Sequence, residues 1–173
     1  GPQEASEVYK GPGQDMRNGL VTVPVATFHG ESHIADQLRS LAAQTWPRVD
    51  VFFSDDGSRD ATPDRLKAFC RDWNKGRAEL VDGPRAGFAE NFRALITSGR
   101  VDGDYVAFCD QDDIWKPDKL RNAIAWLARQ DAARPALYCG RTPTFSGDRQ
   151  GPRSPLFRRP PAVRTAPVPA IPR

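Results

Sequence analysis

No stretch of this sequence approaches the ~18 consecutive apolar residues of a membrane-spanning helix, and no basic-then-apolar leader of the secretory kind is visible. The expectation is a cytoplasmic protein with no transmembrane segment, with peripheral attachment at the inner face of a membrane left open. Cysteine is scarce: Cys70, Cys109 and Cys139 are odd in number and lack metal-like spacing, and two of them fall in apolar strand patterns. A disulfide framework is therefore disfavoured, and buried free thiols are expected. Histidine is scarcer still. His29 and His33 stand four apart, as two zinc ligands on a helix would, but Glu31 is not where that motif needs its acid and Gly30 precedes the helix. A basic body is also lacking. The net charge is +3, yet residues 143–173 hold six Arg against the single Asp148, a local +5 that leaves −2 on the other 142 residues. That distribution does not suit a phosphate-backbone binder, and nucleic acid is not expected as a partner.

What is present is ordinary globular material: 173 residues, 39% hydrophobic and 27% charged, enough for one domain with a real core. Residues 1–19 open with Gly, Pro and polar types without periodicity and read as a disordered leader. Residues 20–142 alternate strand and helix patterns. Leu20 to Thr27 is an apolar run, and Ile34, Leu38, Leu41 and Ala42 then share a helical face ended by Trp46-Pro47. Val49 to Ser54 is a second strand, after which Thr62 is expected to cap and Pro63 to open a helix striped by Leu66, Phe69, Cys70 and Trp73. Ala78 to Val81 precedes a helix with Phe88, Phe92, Leu95 and Ile96; Tyr105 to Cys109 precedes one with Leu120, Ile124 and Leu127; Ala136 to Cys139 is a fifth strand.

Apolar strands each followed by an amphipathic helix predict an α/β fold, a mostly parallel sheet with helices on both faces. Pro24 is dissonant, because proline inside a central strand removes a ladder donor. After Gly140 the pattern collapses: residues 143–173 hold eight of the sixteen prolines and read as a disordered Pro/Arg-rich tail.

Two acidic turns leave strand ends. Asp110-Gln111-Asp112-Asp113 follows Tyr105-Val106-Ala107-Phe108-Cys109, and Asp55-Asp56-Gly57-Ser58 follows Val49 to Ser54. Three carboxylates at the exit of a buried strand are costly unless a cation or donors neutralise them. Mg²⁺ or Mn²⁺ is the usual answer, since it takes one or two carboxylates and leaves its other positions to phosphate and water. Open sheets bind ligands beyond the carboxyl ends of their strands, where both turns lie. The bland alternatives are a solvated or helix-capping acidic cluster before Pro117 and a turn using Gly57 for positive φ. Of the four tryptophans, Trp115 beside the acidic turn is the candidate for stacking on a sugar.

Several motifs in order resemble family 2 glycosyltransferases: Ala26-Thr27-Phe28-His29-Gly30-Glu31, Ser54-Asp55-Asp56-Gly57-Ser58-Arg59-Asp60, Gly87-Phe88-Ala89-Glu90-Asn91-Phe92, and Cys109 through Leu120. The last two resemble the rhamnosyltransferase branch of cell-surface polysaccharide synthesis. The resemblance covers roughly residues 20–142 and implies the GT-A fold, Rossmann-like and here incomplete on the acceptor side. It also implies an inverting transfer from a nucleoside-diphosphate sugar, dTDP- or UDP-linked in preference, to a saccharide or lipid-linked acceptor, with Mg²⁺ or Mn²⁺.

Residue by residue, the resemblance gives Thr27 and Phe28 to the nucleotide pocket and Asp56 to the base or ribose. Asp112 is implied as direct metal ligand, Asp110 as holder of the ribose or of a metal-bound water, and Asn91 as a residue facing the nucleotide. His29 departs from the family's usual Asn. The family's general base, an acid well after the Asp-x-Asp element, has no counterpart, so the catalytic residue is unassigned. A truncated or frameshifted gene, or a fragment of a longer enzyme, fits that pattern. Its alternative function is a non-catalytic nucleotide-binding remnant.

Overall fold

The computed structural model of the chain describes residues 7–10, 18–140, 143–146 and 149–153. Two compact units divide between Gly140 and Arg141. The larger contains β1 (Glu7–Lys10), β2 (Val21–Thr27), α1 (Ile34–Ala42), β3 (Val49–Asp55), α2 (Thr62–Asp72), β4 (Ala78–Asp82), α3 (Phe88–Thr97), β5 (Tyr105–Ala107), β6 (Cys109–Asp110), α4 (Lys119–Leu127) and β7 (Leu137–Cys139). The sheet order is β4-β3-β2-β5-β1-β7, with β6 paired to β2. Pairings of β2 with β3, β5 and β6, and of β3 with β4, are parallel.

All seven residues of β2 and of β3 are buried, which is why these strands read as continuous apolar runs rather than alternating ones. Alternate residues serve opposite faces. Val21, Val23, Val25, Val49, Val51, Phe53, Tyr105, Ala107 and Cys109 join Ile34, Leu38 and Leu41 of α1, Leu66 of α2 and Leu120, Ile124 and Leu127 of α4 in one core. Each fully buried aliphatic or Phe side chain of this core contributes about 1.5–3 kcal/mol. The other face is covered by α3, whose Leu95 and Asn91 are buried while Phe88 and Ile96 stay exposed. Coverage of the two faces is thus unequal, and an apolar groove of about 560 Å³ lies beside α3, lined by Ile96, Val101, Val106, Phe108, Pro135, Ala136 and Leu137. Asp50, buried inside β3, is neutralised by Arg77 (Nε to Oδ2, 2.7 Å).

The structure resolves the Pro24 dissonance. Pro24 is in register with Phe52 of β3, but on the other side the ladder runs Val21 and Thr22 to β5, then Val25 and Ala26 to β6. The expected single strand Tyr105 to Cys109 is broken at Phe108, and the missing donor of Pro24 coincides with that break.

Three further expectations are corrected. Glu7–Lys10, placed in the disordered leader, forms β1 and pairs antiparallel with both β5 and β7. Within the expected disordered tail, Pro143–Ser146 (β8) and Arg149–Arg153 (β9) form an antiparallel hairpin with an irregularity between Pro143 and Phe145; apart from Asn18 and Gly19, whose carbonyls accept hydrogen bonds from Arg48 and Trp46, the remainder of both segments lies outside the described residues. Thr62 does not cap α2 but begins it, behind Ala61. Its hydroxyl is taken by another loop. Among the described residues no helix is long and apolar enough to cross a membrane.

Candidate functional site

Parallel strands end on the same edge, so the loops after β2, β3, β4 and β6 converge. Asp55, the last residue of β3, ties two of them together. Its Oδ1 accepts the Thr27 hydroxyl (2.9 Å) and the Ser58 hydroxyl (2.6 Å), while Oδ2 accepts the backbone N–H of Ser58 (2.8 Å) and of Gly57 (3.2 Å). Asp56 ties the third. Its backbone N–H donates to Thr27 O (2.9 Å), and its carboxylate accepts Arg85 N–H (2.6 Å) and Gly87 N–H (2.8 Å). Both acids are buried.

The β2–α1 loop is held by its main chain. Phe28 N–H donates to Gln111 Oε1 (2.9 Å), His29 N–H to Ser58 Oγ (2.8 Å), Gly30 N–H to Thr62 Oγ1 (2.9 Å) and Glu31 N–H to Asp60 Oδ2 (3.2 Å). Four successive amides are thus satisfied by side chains from two other strand-end turns. His29 (φ 46) and Arg85 (φ 58) adopt the left-handed region uncommon for residues other than glycine, one in each of two loops bordering the site. Gly87 (φ 91) opens α3.

A cavity of about 540 Å³ lies among these loops, lined by Ala26, Thr27, Phe28, Asp56, Arg85, Gly87, Phe88, Asp110, Gln111 and Asp112. Five of the six residues expected at the site therefore share its wall: Thr27, Phe28, Asp56, Asp110 and Asp112. Asn91 does not line it. It is buried beneath, at 1% exposure, with Nδ2 donating to Ser54 O (2.8 Å) and Oδ1 lacking a hydrogen-bond partner among the described residues. Trp115 is also inside, at 5% exposure, with the Lys119 ammonium 5.0 Å from its ring centre; it belongs to the core rather than to a sugar platform. Arg85 went unrecognised in the sequence, and Gly87 entered only as the first residue of a family motif, not as part of the site. The signal available was Gly83-Pro84-Arg85-Ala86-Gly87, a turn at a third strand end.

The acidic turn gathers Asp110, Asp112 and Asp113, each offering a carboxylate oxygen within 4.8 Å of the others. Asp112 is exposed and Asp113 buried. Burial pushes the Asp113 carboxyl up, and nearby Asp112 adds to that; the Asp110 backbone and Lys119 oppose it. Burial likewise pulls the Lys119 ammonium down. Three oxygen donors converging beside an open cavity match what a hard divalent cation takes, which leaves room for oxygens of a ligand. Zinc is not supported by the histidines, since His29 lies in the loop and His33 stands at the N-cap of α1.

Glycosyl transferase family 2 matches residues 22–166. The dTDP-rhamnosyl transferase RfbG of Shigella flexneri is 33% identical over 114 residues, covering 62% of this chain and 38% of that protein. Among solved structures, the mannosyltransferase PcManGT from Pyrobaculum calidifontis, in complex with GDP-Man and Mn²⁺, superposes with TM-score 0.57 at 31% identity, over 64% of this chain and 33% of that one. S. aureus TarS 1-349 in complex with UDP-GlcNAc gives TM-score 0.56 at 27% identity, over 62% and 31%. The chain thus spans less than half the length of the curated relatives it matches.

Proposed function

The chain belongs to glycosyl transferase family 2 and carries its GT-A architecture, and from that premise we propose that it binds a nucleoside-diphosphate sugar as the donor side of an inverting transferase. The observation that carries this reading is that Asp110 and Asp112, with the buried Asp113 offering a carboxylate oxygen within 4.8 Å of theirs, line one edge of the cavity whose other walls include Thr27, Phe28 and Asp56. A nucleoside against Phe28 and Asp56 would present its diphosphate to Asp110 and Asp112. The half-exposed Phe28 ring offers an apolar face to a base. Asp56, fixed by the Arg85 and Gly87 amides, keeps lone pairs for a base N–H or a ribose hydroxyl. Arg85, on the same wall, adds a cation.

Asp112 as direct ligand and Asp110 as direct or water-mediated ligand would hold Mg²⁺ or Mn²⁺, whose charge offsets that developing on the departing diphosphate. The carboxylates named here are ligands and hydrogen-bond acceptors, and none of them is assigned as nucleophile or general base. The likeness to the dTDP-rhamnosyl transferase RfbG supports dTDP as the carrier and a rhamnosyl group as the sugar, and the TarS complex with UDP-GlcNAc supports UDP as the other carrier; the acceptor in this reading is a saccharide or lipid-linked molecule of polysaccharide synthesis.

The test is thermal stabilisation by uridine, deoxythymidine, guanosine and cytidine diphosphates, with and without Mn²⁺. At a ligand concentration 100 times its Kd the expected gain is about 2.7 kcal/mol. It should require metal and vanish in Asp112→Ala. A cooperatively melting sample that responds to none of them refutes the reading. Binding without donor hydrolysis or transfer would instead support the nucleotide-binding function alone.

A further inference from the structure

We propose that Gln111 is a positioning residue that locks the Phe28 wall of the cavity to the acidic turn, so that the nucleoside end of the site is held by its metal end. The proposal rests on the donor-site reading above and deepens it.

Gln111 makes two hydrogen bonds to one residue. Its Oε1 accepts Phe28 N–H at 2.9 Å, and its Nε2 donates to Phe28 O at 3.0 Å. Both main-chain groups of Phe28 are thereby satisfied by a single side chain. A Gln amide carries a donor and an acceptor side by side on one planar group: ionised Glu lacks the donor, Lys lacks the acceptor, the His ring nitrogens point apart, and Asn is one methylene shorter. The place in the fold explains the need. The β2–β6 ladder ends at Ala26 and Asp110, and the Gln111 amide supplies a bridge just beyond, where backbone no longer meets backbone.

Gly30 leaves room for it. A Cβ at position 30 would lie 2.7 Å from Gln111 Oε1 and 3.1 Å from Cδ. Phe28 has little else to fix it, being 52% exposed with its ring in an edge contact to His29. His29, Gly30 and Glu31 are tied to the turn after β3, whereas Phe28 is tied to the turn after β6. The loop is therefore strung between the two acidic turns, and Gln111 sits between Asp110 and Asp112, the residues assigned to the metal.

The test uses the 173-residue chain with Gln111→Ala, Gln111→Glu, Gly30→Ala and the Gln111→Ala/Gly30→Ala double variant. Three quantities are read: amide hydrogen exchange at Phe28 without ligand, affinity for Mn²⁺ alone, and affinity for the stabilising nucleoside diphosphate in Mn²⁺. Gln111→Ala should speed Phe28 exchange and weaken the nucleotide by about tenfold each, the scale of one or two hydrogen bonds, while Mn²⁺ affinity stays within about twofold. Gln111→Glu adds a carboxylate to the turn, so Mn²⁺ affinity should hold or rise while the nucleotide weakens. A merely structural role would weaken both together.

Gly30→Ala should reproduce the Phe28 loosening in the parent chain but add less than about twofold in the Gln111→Ala background, because the clash partner is gone. Unchanged Phe28 exchange in Gln111→Ala, or loss of Mn²⁺ and nucleotide in equal proportion, overturns the proposal. Should the parent chain bind no nucleotide at all, the donor-site reading falls instead, and Phe28 exchange still decides whether the lock exists.

Discussion

Replacing Asp55 should cost more than replacing any other acid of the site, because it is the knot between β2, β3 and the turn that follows. Its carboxylate is buried and accepts four hydrogen bonds, from Thr27 Oγ1, Ser58 Oγ, Ser58 N and Gly57 N. A hydrogen bond to a charged group contributes about 1.5–3 kcal/mol net. The four do not add. Gly57 and Ser58 are half-exposed, so their donors regain water once the carboxylate is gone, and the Thr27 hydroxyl keeps a long contact with Ser54 O (3.5 Å).

Counting roughly half of the bonds at full value gives about 3–6 kcal/mol for Asp55→Ala, or about 6–24 °C in Tm for a chain of this size. Asp55→Asn keeps one acceptor oxygen but turns an NH₂ toward two donors, and should lose about half as much. The assay is a calorimetric melt at pH 7 without metal or nucleotide. A cooperative Asp55→Ala sample melting within about 3 °C of the parent would refute the argument that this knot holds the strand ends together.

Asp112→Asn, at an exposed position, should leave Tm within about 2 °C while lowering Mn²⁺ affinity at least tenfold by titration, since an amide is a poorer ligand for a hard cation. Asp60 gives a pH signature. Its carboxyl is held below its ordinary value of 3.8, first by the Thr62 hydroxyl and then by the backbone N–H groups of Thr62 and Glu31 and by His29, against the opposing effect of burial. A depressed carboxyl contributes stability that is present above the unfolded value and is lost as pH falls through the folded one. Asp60→Ala should therefore lower Tm at pH 7, with the difference from the parent shrinking as pH drops below 3.8; a difference that persists in acid refutes the linkage. Asn91→Ala removes the bond to Ser54 O and should lower stability by about 1 kcal/mol in urea unfolding. Asn91→Asp should cost more, because it sets a carboxylate against that carbonyl.

Much of this protein is local and was legible in the chain. The apolar runs from Val21 and Val49 dictate buried parallel strands, the stripes Ile34-Leu38-Leu41 and Leu120-Ile124-Leu127 dictate helices, and the acidic turn at the exit of a buried strand borders the cavity. Each of these depends on periodicity or turn chemistry over a few residues. Thr27, Phe28, Asp56, Asp110 and Asp112 were placed by such signals, together with the ordered family motifs.

Tertiary structure decided what depends on distant partners. Phe28 and Gln111 are 83 positions apart, and no spacing rule joins them. Asn91 belongs to a motif that suggested a residue facing the nucleotide, yet α3 packs against β2 and β3 so that its amide reaches Ser54 instead. Trp115 follows the acidic turn in sequence, but the chain turns inward there and buries the ring beside Lys119. Glu7–Lys10 became a strand because β5 and β7 offered unpaired backbone on both sides of it, a demand that four polar-flanked residues cannot announce. Sequence determined which apolar runs become the central strands and what charge follows them; packing determined which of those side chains face the cavity and which are spent holding it open.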